Sequence, residues 1–123
     1  MSWQFDGQRP IYTQLVEELA LRMVTGCYGP GSRLPSVREL AAEARVNPNT
    51  MQRAMAELEG RGLLHTERTS GRFVTDDLQL LENEKRRLAR IHVDSFLSRM
   101  AELGFTTKQA LELASEKELI TNE

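Results

Sequence analysis

The chain has 123 residues, 40% of them hydrophobic and 28% charged, which suits one compact domain of roughly 75 residues with a short appendage. Its formal charge of −2 excludes a diffuse basic field as the basis of nucleic-acid binding, and no apolar run approaches the roughly 18–20 residues that cross a bilayer. The single cysteine, Cys27, excludes an intrachain disulfide and a multi-cysteine metal site, and residues 1–10 lack the pattern of a secretion signal, so the expected compartment is the cytoplasm.

After a short extended segment holding Trp3 and Phe5, Pro10 opens a helix expected to run to about Thr25. Its apolar face is Tyr12, Leu15, Val16, Leu19 and Met23. From Cys27 to Pro35 the chain carries Gly29, Pro30, Gly31 and Pro35, so it is expected to be a loop. Ser36-Val37-Arg38-Glu39 then reads as a capping box, in which the Ser hydroxyl accepts from the Glu39 amide and the Glu39 carboxylate accepts from the Ser36 amide. The helix it opens is short, with Val37, Leu40, Ala41 and Ala44 on one face. Arg45 and Val46 connect it to a third helix, capped by Asn47 with Pro48 in the first position, where a missing N–H costs nothing. Met51, Ala54, Met55 and Leu58 mark the buried face of this helix and leave Asn49, Gln52, Arg53 and Ala56 outside. Gly60 and Gly62 end it. Leu63–Glu67 and Arg72–Thr75 read as two short strands joined by Arg68-Thr69-Ser70-Gly71.

From Asp77 a long helix is expected, with an apolar stripe of Leu78, Leu81, Leu88, Phe96, Met100 and Leu103. Gly104 interrupts it, and Thr107 to about Lys117 reads as a shorter helix. The predicted fold is therefore mainly α with a small β-hairpin: a winged helix-turn-helix over residues 1–76, then a short two-helix C-terminal dimerisation arm over 77–123. The stripe is too long for a helix lying alone in water. A partner chain contacting Leu81, Leu88, Phe96, Met100 and Leu103 is the simplest cover, and folding back onto the winged domain is the alternative.

Two short helices joined by a tight turn, the second exposing small polar side chains at its N-terminal end, are what reading the DNA major groove requires. Asn49 and Gln52 each offer a donor and an acceptor, the combination that matches adenine, and free amides at Ser36 and Asn47–Thr50 suit phosphates. Charge distribution fits this better than net charge does. Residues 33–75 hold seven Arg and no Lys against five Glu, whereas residues 77–123 hold nine acids against seven bases. DNA contact would rest on placed guanidinium groups.

The runs Pro10-Ile11-Tyr12-Thr13-Gln14-Leu15, Gly31-Ser32-Arg33-Leu34-Pro35-Ser36-Val37-Arg38-Glu39-Leu40-Ala41, Val46-Asn47-Pro48-Asn49-Thr50-Met51-Gln52-Arg53-Ala54 and Leu58-Glu59-Gly60-Arg61-Gly62-Leu63-Leu64 resemble the DNA-binding domain of the GntR family of transcription regulators. The short tail is similar to the YtrA branch of that family. The resemblance covers about residues 9–75 and implies a homodimeric repressor on an inverted-repeat operator, with the third helix in the major groove of double-stranded DNA and the wing tip in the adjacent minor groove. It implies Arg38, Asn47, Asn49, Thr50, Gln52, Ser70 and Gly71 as DNA contacts. Arg53, Arg68 and Arg72 join them as phosphate neutralisers, or serve as ordinary surface arginines. Two departures stand out: Pro48 occupies a position where many relatives have Arg, and Thr69 and Ser70 stand where a more basic wing tip is common.

Several site residues also have a structural reading: Asn47 and Thr50 as cap, Gly71 as hairpin turn, Arg38 as a solvated cation paired with a Glu; Asn49 and Gln52 have none. No catalytic triad, paired-carboxylate motif, phosphate loop or metal-ligand spacing is recognisable, so an enzyme, a metal and a cofactor are not expected. A small-molecule effector would need a pocket of on the order of 300 Å³ or more, which two short helices offer only between subunits. The competing class is a winged-helix protein-interaction adaptor without sequence-specific DNA binding.

Overall fold

The computed structural model describes residues 2–122, with side chains for residues 2–116. Its elements, in order, are α1 (Ile11–Val24), α2 (Val37–Ala44), α3 (Pro48–Gly60), β1 (Leu64–Glu67), β2 (Gly71–Val74), α4 (Leu78–Glu102) and α5 (Thr107–Asn122). They form two compact units, Met1–Lys85 and Arg86–Glu123. No described helix is long and apolar enough to cross a membrane.

The first unit is built around α3, which packs against α1, α2 and β1. Leu15, Leu19 and Met23 of α1, Leu40 of α2, and Met51, Met55 and Leu58 of α3 meet in a core that excludes water completely, closed by Leu63 and Val74 from the hairpin. Their helical spacing in the sequence is the cause: each helix has one apolar stripe, and packing the three stripes against one another removes all of them from water. The N-terminal segment is fastened to α1 by Gln14. Its amide oxygen accepts from the Asp6 backbone N–H at 2.8 Å, and its Nε2 donates to the backbone carbonyls of Asp6 and Arg9 at 3.0 and 2.8 Å. Farther along, Trp3 lies over the buried Arg22 guanidinium, 3.8 Å from ring centroid to Cζ.

The helix-turn-helix corner is made by Arg45, whose backbone is left-handed at φ 58, ψ 47. Arg45 N–H donates to the Ala42 carbonyl at 3.3 Å, and Val46 N–H donates to Ala41 at 3.0 Å. Both carbonyls would otherwise be left open at the end of α2. At the other end of α2, the Ser36 hydroxyl accepts from the Glu39 amide at 3.1 Å; among the described residues the return bond from the Glu39 carboxylate is not formed.

In the hairpin, β1 and β2 pair antiparallel in the register Leu64↔Val74, His65↔Phe73, Thr66↔Arg72 and Glu67↔Gly71. Gly71, expected in the turn, begins the second strand. The stretch expected to be wholly loop contributes a third edge. Arg33 bridges to Phe73, Leu34 N–H donates to the Arg72 carbonyl at 2.9 Å, and Val74 N–H donates to the Ser32 carbonyl at 2.9 Å.

The start of α4 lies where expected, just past residue 76, but its first two turns belong to the winged unit. Leu81 and Glu84 are buried, Arg61 reaches Glu84 at 4.0 Å, and the Leu80 side chain lies beside Gly62. The compact division consequently falls inside α4. In the second unit the turn at Gly104 is left-handed, φ +93, and α5 opens on a reciprocal box. Thr106 Oγ1 accepts from Gln109 N–H at 3.1 Å while Gln109 Oε1 accepts from Thr106 N–H at 2.9 Å. Ala110 is fully buried.

Candidate nucleic-acid interface

The N-terminal turn of α3 is set by Asn47, whose Oδ1 accepts from the Asn49 N–H at 2.8 Å, and by Pro48, which begins the helix with its φ already restricted. This commits the Asn47 side chain to the cap. The apolar stripe of Met51, Ala54, Met55 and Leu58 is turned fully inward, so Asn49, Gln52 and Arg53 are carried on the exposed face, with Thr50 half-buried between the two. Among the described residues, the side chains of Asn49 and Gln52 have no intrachain hydrogen bond, and neither Arg38, exposed in the first turn of α2, nor Arg68, exposed at the wing, has an ion-pair partner. These groups keep their full bonding capacity for something outside the chain.

The remaining expected contacts have employment inside the chain as well. Arg53 lies 4.5 Å over the Tyr12 ring, which holds its stem against α1, and among the described residues it has no carboxylate partner. Arg72 is half-buried, and its Nε donates to Glu59 Oε1, the oxygen that also accepts from Thr66 Oγ1 at 2.6 Å. Partial burial pushes the Glu59 carboxyl up, but the hydrogen bonds from Thr66 and Arg72 and the Arg72 charge outweigh it, holding Glu59 below the usual glutamate range. The cluster clamps the wing onto α3, a role the sequence did not suggest because Glu59, Thr66 and Arg72 lie in three separate elements. His65 is likewise structural, its ring stacked on Phe73 at 5.8 Å with Glu67 at 3.6 Å. At the wing, Arg68, Thr69 and Ser70 are exposed, and Gly71 is required by its backbone, φ +110.

Arg33 went unnoticed among the candidate residues. It is exposed at the loop edge that pairs with β2, and its guanidinium lies against Gly71. Local sequence marks it only as a basic residue after Gly31; the pairing that delivers it to the wing spans 40 residues.

The expected dimer stripe divides. Leu81 is only 7% exposed in the single chain. Leu88 and Met100 are half-buried, Phe96 is 37% exposed and Leu103 74% exposed, and Ile91, Val93, Phe105, Leu111 and Leu113 add further exposed apolar surface to α4 and α5 and the turn between them.

The geometry of the first unit agrees with what the chain is similar to. The model of the bacterial regulatory proteins of the gntR family matches residues 11–74. The chain is 38% identical over 112 residues to YhcF of Bacillus subtilis (strain 168), an uncharacterized HTH-type transcriptional regulator, covering 91% of this chain and 93% of that one. A GntR family transcriptional regulator from Listeria monocytogenes superposes with a TM-score of 0.83 at 38% identity, over 91% of this chain and 98% of the other. The DNA-binding domain of AraR in complex with operator ORX1 superposes with a TM-score of 0.54 at 28% identity, over 58% of this chain and 93% of that domain. A helix-turn-helix with unpaired polar groups on its outer face, a wing, and these likenesses lead to one conclusion: the chain belongs to the gntR family of bacterial regulatory proteins, DNA-binding regulators of transcription.

Proposed function

We propose that the chain is a homodimeric repressor that acts in the cytoplasm, has no enzymatic activity and reads an inverted-repeat operator. The observation that carries this reading is the outer face at the start of α3, where the Asn49 and Gln52 side chains stand exposed and, among the described residues, without a hydrogen-bond partner, together with Arg38 in the first turn of α2, which among the described residues has no ion-pair partner. Asn49 and Gln52 read base edges in the major groove, and Arg38 bonds a base or a flanking phosphate. Asn47 presents its backbone amide, and Thr50 its hydroxyl, to the phosphate strand at the start of α3. The wing, through Arg68, Ser70 and Gly71, follows into the minor groove. Arg53 and Arg72 neutralise phosphates with whatever their guanidinium groups have left over from Tyr12 and Glu59.

Dimerisation rests on α4 and the turn after it, through Leu88, Phe96, Met100 and Leu103. Two winged units held by these helices would set their reading helices about one duplex turn apart, roughly 34 Å. Repression is the simplest consequence, since a dimer seated across a promoter occupies duplex that polymerase needs. A small-molecule effector would bind between the arms of the dimer and alter that spacing.

The test begins with selection of binding sites from random duplexes, followed by titration of the recovered site with wild type, Gln52→Ala and Arg38→Ala. An inverted repeat bound specifically, with each substitution costing about 1–3 kcal/mol, supports the reading. A stable dimer that selects no sequence would overturn it in favour of a protein-interaction adaptor. Phe96→Asp, read by light scattering, is expected to shift the protein to monomer; an unchanged dimer would remove the α4 surface from the proposal.

A further inference from the structure

The wing of this chain has a chemical gap and, next to it, a feature that fills the gap. Its loop carries Thr69 and Ser70 and a single cation, Arg68, while Arg72 is held by Glu59. Arg33 approaches from the other side. Its backbone is tied to β2 through the bridge to Phe73 and the bonds of its neighbours Ser32 and Leu34 to Val74 and Arg72, so it is carried as part of the wing although it precedes the helix-turn-helix. Its guanidinium lies across Gly71: a Cβ built there would fall 2.9 Å from Arg33 Nε and 3.4 Å from Nη2. Only a glycine leaves that place open.

The guanidinium sits in a groove of about 350 Å³ between the loop 33–37 and the hairpin, with Ser36, Arg68 and Ser70 on its walls and Leu34 and Met55 beneath. One carboxylate, Glu67, also lines the groove, and it lies 3.6 Å from His65 Nε2. Among the described residues Arg33 has no carboxylate partner. An exposed, uncompensated arginine with its stem fixed by backbone pairing loses little freedom on binding an anion, and its planar donors match phosphate oxygens.

We infer that this groove seats a DNA backbone phosphate, with Arg33 as its cation. The inference rests on the DNA-reading placement of α3 proposed above: with α3 in the major groove and the wing in the minor groove, the strand separating the two grooves passes between α2 and the hairpin. The chain thus supplies its wing with a cation from the loop before α2 in place of a basic tip.

A phosphate contact is independent of sequence, so the probe is a mixed-sequence 30-base-pair duplex, titrated by fluorescence anisotropy across a salt series. Arg33→Gln, which keeps a polar stem, and Arg33→Lys are compared with wild type, with melting curves to establish that each is folded. Arg33→Gln is expected to weaken binding several-fold and to make the slope of log K against log salt shallower by about one per protomer bound, about two for a dimer, while Arg33→Lys retains most of the slope. A role confined to shaping the wing would lower affinity with the slope unchanged, and would overturn the inference. So would wild-type affinity and slope in a folded Arg33→Gln while Arg38→Gln or Arg68→Gln still makes the slope shallower, an outcome that leaves the DNA-reading assignment standing. A wild type that binds no duplex overturns both.

Discussion

Glu59→Gln tests the clamp between the reading helix and the wing. The substitution keeps the shape of the side chain but removes the charge that binds Arg72, and an amide oxygen is a poorer acceptor for Thr66 Oγ1 and Arg72 Nε. Hydrogen bonds to a charged group contribute roughly 1.5–3 kcal/mol when buried. The Glu59 side chain is 31% exposed and Arg72 20%, so solvent screening reduces the expected loss to about 1–2 kcal/mol. For a unit of this size that lowers Tm by roughly 4–8 °C per kcal/mol. The pH dependence follows from the sign of the shift. Glu59 is held below its ordinary value in the folded chain, so its contribution is fully present above the unfolded glutamate pKa and is lost as pH falls through the lower folded value. Melting curves of wild type and Glu59→Gln should differ at pH 7 and converge under acid conditions. Equal Tm values at pH 7, or a gap that persists after the carboxyl has protonated, would refute the reasoning.

Three other substitutions probe the scaffold. Arg45→Gly relieves a left-handed backbone that costs an L-residue about 1–2 kcal/mol, partly offset by the greater freedom of glycine when unfolded, so a gain of roughly 0.5–1 kcal/mol is expected in urea melts, and a loss would mean that the Arg45 side chain has a stabilising partner. Gln14→Ala removes three hydrogen bonds that hold the N-terminal segment on α1; it should raise amide exchange at Asp6 and alter the fluorescence of Trp3, the single tryptophan, and unchanged spectra would show the segment is held by Trp3 and Arg22 alone. Leu58→Ala empties a fully buried position in α3 and should cost about 2–5 kcal/mol by denaturant unfolding, with a loss under 1 kcal/mol showing that the core closes over the gap.

Most of the fold was legible because its signals are local. Ser36, Asn47, Pro48 and the apolar spacing of each helix are statements about neighbours three or four residues apart, and such statements locate helices well. What stayed hidden is non-local. The breaker-rich loop 27–35 carries no strand pattern of its own, and its pairing with β2 arises only because the hairpin offers an open edge beside it. Leu81 fits an apolar stripe along α4 as well as any residue there, and nothing in that spacing sets its burial apart from the exposure of Leu103. The same holds for the site. Exposure of Asn49 and Gln52 followed directly from the inward stripe of α3, whereas Arg33, Arg53 and Arg72 differ in their availability for reasons found on other elements.

That difference in availability bounds how the protein can hold DNA at a net charge of −2. In the winged unit Arg9, Arg22, Arg61 and Arg72 are each paired with a carboxylate, whereas among the described residues Arg33, Arg38, Arg45, Arg53 and Arg68 have none. At about 0.9 per neutralised phosphate, a dimer drawing on all of the latter would show a salt slope no steeper than about −9. Fewer will face the duplex at once, so nonspecific affinity should be modest at physiological salt. Specific binding must then come largely from the uncharged groups, Asn49 and Gln52 at base edges and the backbone amides of the first residues of α2 and of Asn47. A slope much steeper than the bound would point to further cations, on the basic stretch Lys85–Arg90 of α4, and would move the DNA footprint with them.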